Sequence, residues 1–137
     1  QPDIDTALHH NVWFLRSAGL LANCMTAKDR GIETAKKFLS HDPALMVRAT
    51  ALQILAQQKN LDREFLWRQL SNPLNFDRGR SLSLRLSLFK LLSKNAVKNE
   101  SAKFNTFLKD SHPEIKRLAR VFVDKNSAAG QKAARKE

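Results

Sequence analysis

The chain has 137 residues, 42% hydrophobic and 27% charged, a globular composition long enough for one domain with a modest core. No uninterrupted apolar run approaches the roughly 20 residues that a membrane-spanning helix needs, and the single cysteine, Cys24, excludes an internal disulfide. The 24 Lys and Arg against 13 Asp and Glu leave a formal net charge of +11 and a pI of about 10.3, which points towards acidic partners: nucleic acid, an anionic membrane surface or an acidic protein face.

After a short polar lead, Asp5 or Thr6 can cap a first helix, which the stripe Val12, Leu15, Ala18, Gly19 and Ala22 carries to about Cys24. Trp13, Phe14, Leu20 and Leu21 widen the stripe, so this helix is expected to be covered on two sides. Thr26 and Asp29 have the spacing of a capping box for a second helix, apolar through Ile32, Ala35, Phe38 and Leu39 and ending near Ser40. His41-Asp42-Pro43 then opens a third helix, to about Gln58, since proline suits a first turn where its missing N–H is no loss. Asn60 can cap a fourth, 61–71, with Asp62 and Glu64 near its positive end. Asn72-Pro73 breaks it, and 72–79 form the longest internal loop.

From Ser81 to Leu92 leucines alternate with polar residues as in a strand, yet Leu84, Leu88, Leu91 and Leu92 also keep helical spacing. No second strand-like run exists to pair with, and an isolated strand leaves its backbone groups unpaired, which decides for a helix over 80–94. Asn99 or Ser101 opens a sixth helix, to about Asp110, buried through Phe104, Phe107 and Leu108. Ser111-His112-Pro113 repeats the earlier turn chemistry before a seventh helix, 113–125. Residues 126–137 hold no large apolar side chain and read as a flexible basic tail.

After the first helix, the others pair as 28–40 with 43–58, 61–71 with 80–94, and 101–110 with 113–125. An aliphatic–basic signature recurs: Leu15-Arg16 with Gly19-Leu20, Val47-Arg48 with Ala51-Leu52, Leu84-Arg85 with Leu88-Phe89, and Ile115-Lys116 with Ala119. The four units start 32, 37 and 31 positions apart, within the period range of helical solenoids.

The stretch Leu108 to Ala119, LKDSHPEIKRLA, resembles the turn and second helix of the HEAT-repeat family and its bacterial HEAT-like relatives. Asp42, Pro43, Val47, Arg48 and Ala51 match too, with two extra residues between the proline and the valine. The third unit has Asp77 and Leu84-Arg85 with its proline displaced to Pro73, and the first lacks the Asp-Pro turn. The resemblance covers residues 10–125. It implies an all-α fold, a right-handed α-solenoid of helix pairs forming a single domain over 1–125. It further implies that Asp42, Arg48, Asp77, Arg85, Asp110 and Lys116 form a structural ladder between neighbouring repeats.

Adjacent His9 and His10 point about 100° apart on a helix and do not converge on one ion. His41 and His112 sit at turns before prolines, and neither a Cys-x-x-Cys pair nor a glycine-rich phosphate loop is present, so no metal, cofactor or catalytic activity is expected. HEAT-like DNA-repair enzymes remain a remote alternative, with Trp13, Trp67 and Asp62 as the candidate residues and no matching motif. The favoured reading is a non-catalytic helical-repeat scaffold that binds another protein with an acidic surface. Residues 1–68 hold nine basic and seven acidic side chains, and 69–137 hold fifteen and six, so the C-terminal half is the expected docking region. Candidates for partner or anion contact are Arg78, Arg80, Lys94, Lys98, Lys103, Lys109, Arg117 and Arg120, together with Trp67, which sits beside Phe65 and Leu66 and reads first as packing between helices, with a partly exposed anchor as the alternative. Sequence-nonspecific nucleic-acid binding through the same residues is the alternative. With no tyrosine and 7% aromatic residues, stacking platforms are scarce, so that contact would be to phosphates. The chain opens on Gln1, which fits either a secreted or periplasmic protein after signal removal or a piece of a longer protein.

Overall fold

The computed structural model describes residues 2–76 and 81–136, with side chains described over 3–76, 83–97 and 99–127. Among the described residues the chain is all-α: α1 (Pro2–Leu8), α2 (Trp13–Thr26), α3 (Lys28–His41), α4 (Leu45–Ala56), α5 (Arg63–Gln69), α6 (Ser81–Lys94), α7 (Ser101–Thr106) and α8 (Pro113–Lys136). Short 3-10 turns cover Pro73–Phe76, Lys98–Glu100 and Phe107–Lys109. Residues 81–94 are helical, as their spacing predicts. The structure divides into two compact units, Gln1–Leu88 and Phe89–Glu137, with the boundary inside α6.

In the first unit the expected first helix is two helices, α1 and α2, joined by a turn over residues 9–12. The turn is held by side chains: His10 Nδ1 accepts the Val12 N–H at 3.1 Å, and Arg16 donates to the carbonyls of His10 and Asn11 at 2.9 and 3.0 Å. The reversal lays α1 against α2. Gly19 sits at that crossing, where a Cβ would lie 3.0 Å from the Leu8 backbone nitrogen. Packing of α3 and α4 on α2 covers more of its apolar girth, as expected. One stripe through Phe14, Leu21 and Met25 stays exposed.

The capping box expected at Thr26 and Asp29 does not form. Ala27 occupies the N-cap of α3, and the Thr26 hydroxyl instead donates back to the Ala22 carbonyl at 3.0 Å, closing the preceding helix. Helices α2 and α3 cross very closely at Gly31, where a Cβ would lie 2.6 Å from Cys24 Cα. Asp62, not Asn60, caps α5, accepting the Phe65 N–H at 3.2 Å. The core of this unit is Leu20, Leu39, Val47, Ala51, Leu66, Leu70 and Leu88, with Phe65 and Trp67 alongside.

The second unit is built around aromatic rings. Phe104 stacks on Phe122 with centroids 3.7 Å apart, and Phe89 meets Phe104 and Phe107 at 5.6 and 5.3 Å. Ile115 and Ala119 bury the first turns of α8. That helix does not stop at Lys125: it runs on to Lys136, so the backbone of the supposed flexible tail is helical. Alanine, glutamine, lysine and arginine are strong helix formers, and a growing helix adds each further turn without a new nucleation cost.

Gly31→Ala tests the close crossing. Alanine normally favours a helix interior by up to about 1 kcal/mol over glycine. Here the added methyl meets backbone, so the variant should be destabilised by about 1–3 kcal/mol, read as a lower thermal midpoint in circular dichroism.

Candidate interaction surface

The basic residues of the signature divide into two groups, one buried against turns and one exposed. Arg48, on the second turn of α4, is 2% exposed. Its guanidinium donates to the carbonyls of Asp42 and Pro43 at 2.9 and 3.1 Å and to the Leu74 carbonyl at 3.1 Å. Arg85 is buried likewise, donating from Nε to the Leu70 carbonyl at 3.0 Å and stacking its guanidinium 4.4 Å over the Phe76 ring. Both guanidiniums are held inside the fold by backbone carbonyls.

The pairing within the expected ladder is different. The Asp42 carboxylate is gripped by Arg16, from Nε at 2.8 Å and from its terminal nitrogen at 3.0 Å, while its other hydrogen bond caps the turn at the Ala44 N–H. That hydrogen bond with Asp42 pushes the Arg16 guanidinium further above its ordinary range. Arg48 therefore meets the backbone of Asp42, and the carboxylate belongs to the arginine one unit earlier. Arg16 is the residue that sequence reasoning left out of the ladder, although it occupies the signature position of the first unit. Arg16 to Asp42 and Arg48 to Leu74 both span 26 residues.

Further along, the rungs weaken. Asp110 is half-buried and caps its turn by accepting the His112 N–H at 2.9 Å; His112 Nδ1 in turn accepts the Glu114 N–H at 3.2 Å. Lys116, expected as a rung, is exposed on α8. Asp77 lies outside the described residues.

Of the candidate contact residues, Trp67 takes the packing role and not that of an exposed anchor. It is 7% exposed and packs in the core, because α5 is buried around most of its girth, through Phe65, Leu66, Gln69 and Leu70 as well. Arg78 and Arg80 lie outside the described residues, as does the side chain of Lys98. Lys94, Lys103, Lys109, Arg117 and Arg120 are all exposed, and so are Lys90 and Lys125, which the sequence reading did not single out. Arg117 is engaged by its neighbour Glu114 through two hydrogen bonds of 3.0 and 2.6 Å, which raises the guanidinium and lowers the Glu114 carboxyl relative to their ordinary ranges.

The second unit holds twelve Lys and Arg against five Asp and Glu over residues 89–137, an excess of seven, whereas residues 1–88 hold twelve against eight. Among its described acids Asp124 is exposed, and the other three are engaged within the unit. Glu100 is buried and accepts the Val97 N–H, Glu114 is taken by Arg117, and Asp110 faces its own turn.

Of the three residues an enzyme reading would use, two are engaged within the fold. Trp67 is buried, and Asp62 caps α5 while accepting Lys36 Nζ at 2.9 Å. Trp13 is half-exposed, edge-on to Phe14 with ring centroids 6.0 Å apart. Among the described residues no three His, Cys, Asp or Glu side chains gather as a metal ion would need. No helix is long and apolar enough to cross a membrane among those residues. No protein-family model matches the chain, and neither a curated protein nor a solved structure matches it.

Two predictions follow from these contacts. Arg48→Ala removes a buried fork that satisfies three carbonyls, and should cost about 3 kcal/mol. Arg48→Lys should recover little of it, since an ammonium lacks the planar fork; denaturant titration reads both. The second concerns Lys36 and Asp62. Their hydrogen bond lowers the Asp62 carboxyl below its ordinary 3.8 and raises Lys36. A folded-state value below the unfolded one contributes stability above pH 3.8, and that contribution is lost as pH falls through the folded value. Asp62→Asn keeps a capping oxygen, so its deficit against the parent should be present at neutral pH and close below pH 3.8 in denaturant midpoints.

Proposed function

We propose that this protein is a non-catalytic helical-repeat module, HEAT-like in arrangement, that binds an acidic surface on another protein through the basic face of its second unit. The observation that carries the reading is the division of labour among the cations. Arg16, Arg48 and Arg85 are committed to turns, while Lys94, Lys109, Lys116, Arg120 and Lys125 face solvent and make no ion pair among the described residues. Holding exposed like charges on one small unit costs self-repulsion, which an acidic partner relieves. Such contacts steer association and set its salt dependence more than they set affinity.

Nucleic-acid phosphate offers the same charge and forms the second reading. The buried position of Trp67 removes one of the few candidate stacking side chains from it.

Capture from source-cell extract with nuclease treatment separates the two readings: a protein partner persists after nuclease, whereas material held through nucleic acid is lost. Replacing Lys109, Lys116 and Arg120 together by Gln should leave the thermal midpoint within about 0.5 kcal/mol of the parent, as exposed substitutions do. It should also flatten the dependence of log affinity on log salt for a polyanion, by about 2–3 for duplex DNA. An unchanged slope would place binding elsewhere.

A further inference from the structure

Helix α2 presents a stripe that no neighbouring helix covers. Trp13 is 44% exposed, Phe14 56%, Leu21 49% and Met25 87%, and Ala18 between them is exposed as well. Phe14, Ala18, Leu21 and Met25 follow one another at steps of four, three and four residues, the spacing of a coiled-coil seam. Every exposed residue of the helix, Thr26 included, is uncharged. Its one charged side chain, Arg16, turns away to Asp42. In a chain of net charge +11, this is a face without charge.

We propose that this stripe is the interface of a homodimer, in which α2 packs antiparallel against α2 of a second copy. Three properties select a second copy as the occupant. The stripe is complementary to itself: a two-fold axis between Ala18 and Leu21 sets Phe14 opposite Met25 of the second copy and small Ala18 opposite its Leu21. That is the alternation by which knobs fill holes. An uncharged face meets its own image without repulsion, whereas an acidic partner would find no cation here. The area also suffices. At about 200 Å² for a large side chain, four side chains roughly half exposed or more offer on the order of 500 Å² per copy. Two copies then bury about 1,000 Å², the lower bound of a specific interface. The dimer is accordingly expected to be weak and reversible. It is independent of the acidic-partner reading, which concerns the second unit.

Sedimentation equilibrium of the full chain from low to several hundred micromolar tests the proposal. The chain should pass from monomer to dimer over that range, without higher species. Leu21→Glu and Met25→Glu should each weaken the association at least tenfold, because each buries an unpaired carboxylate against an apolar side chain of the second copy, Ala18 or Phe14. Both positions are exposed in the monomer, so helix content and thermal midpoint should be unchanged. Val121→Glu, at an exposed position of α8, should leave dimerisation as it is. The orientation is read by oxidative cross-linking in a Cys24→Ala background. An equal mixture of Phe14→Cys and Met25→Cys chains should form a disulfide-linked dimer, and either chain alone should not. A chain that stays monomeric throughout, or a dimer indifferent to both α2 glutamates, would overturn the proposal. Efficient cross-linking of the Phe14→Cys chain alone would overturn the antiparallel arrangement.

Discussion

The first unit depends on arginines that reach out of one helix to hold the turns around it. A chain reversal between helices leaves carbonyls pointing inward with no helical partner, and a buried carbonyl without a donor is costly. Arg48 answers three at once, two in its own turn and one at Leu74. Arg16 does the same for the turn before α2 and adds a two-point grip on the Asp42 carboxylate. These contacts explain the signature. The aliphatic member, Val47 or Leu84, enters the core, and the next residue sits where a long side chain runs along the helix to the turn. A guanidinium suits the role because its planar fork matches several carbonyls and it is less strongly hydrated than an ammonium.

The same logic accounts for the signature's exposed member. At the equivalent position of α8 stands Lys116, whose compact, strongly hydrated charge stays in water. Around it the second unit closes on stacked phenylalanines, which bury large area with few polar demands. Its cations are consequently left for the surface. The chain thus offers two surfaces of opposite character: a basic one on the second unit, sensitive to salt, and an uncharged apolar stripe on α2.

A buried polar network supports the turn after α5. Gln69 donates to the Ser40 hydroxyl at 3.2 Å, Asn72 to the Ser40 carbonyl at 2.9 Å, and Asn75 to the Gln69 carbonyl at 2.8 Å. Asn72 also caps its own turn at the Leu74 N–H, as Asp42 does at Ala44 and Asp110 at His112. The three turns share one device although their sequences differ, because an Asn or Asp oxygen two residues before a free N–H suffices.

Helix content and the core-facing residues of most helices were legible in the sequence, because they follow from local periodicity and from where proline and Asp or Asn interrupt it. Even the strand-like run at 81–92 resolves this way: Arg85 is a buried residue and Leu86 only half so, which is why polarity alternated while the packing did not. What lay beyond the sequence were matters decided by residues far apart in the chain. The Arg16–Asp42 pairing depends on helix α2 and a turn 26 residues further on coming together. The exposure of Phe14 and Leu21 depends on which face of each helix finds a neighbour. An apolar side chain carries the same signal whether it enters a core or is left for a partner, and only the packed structure separates the two.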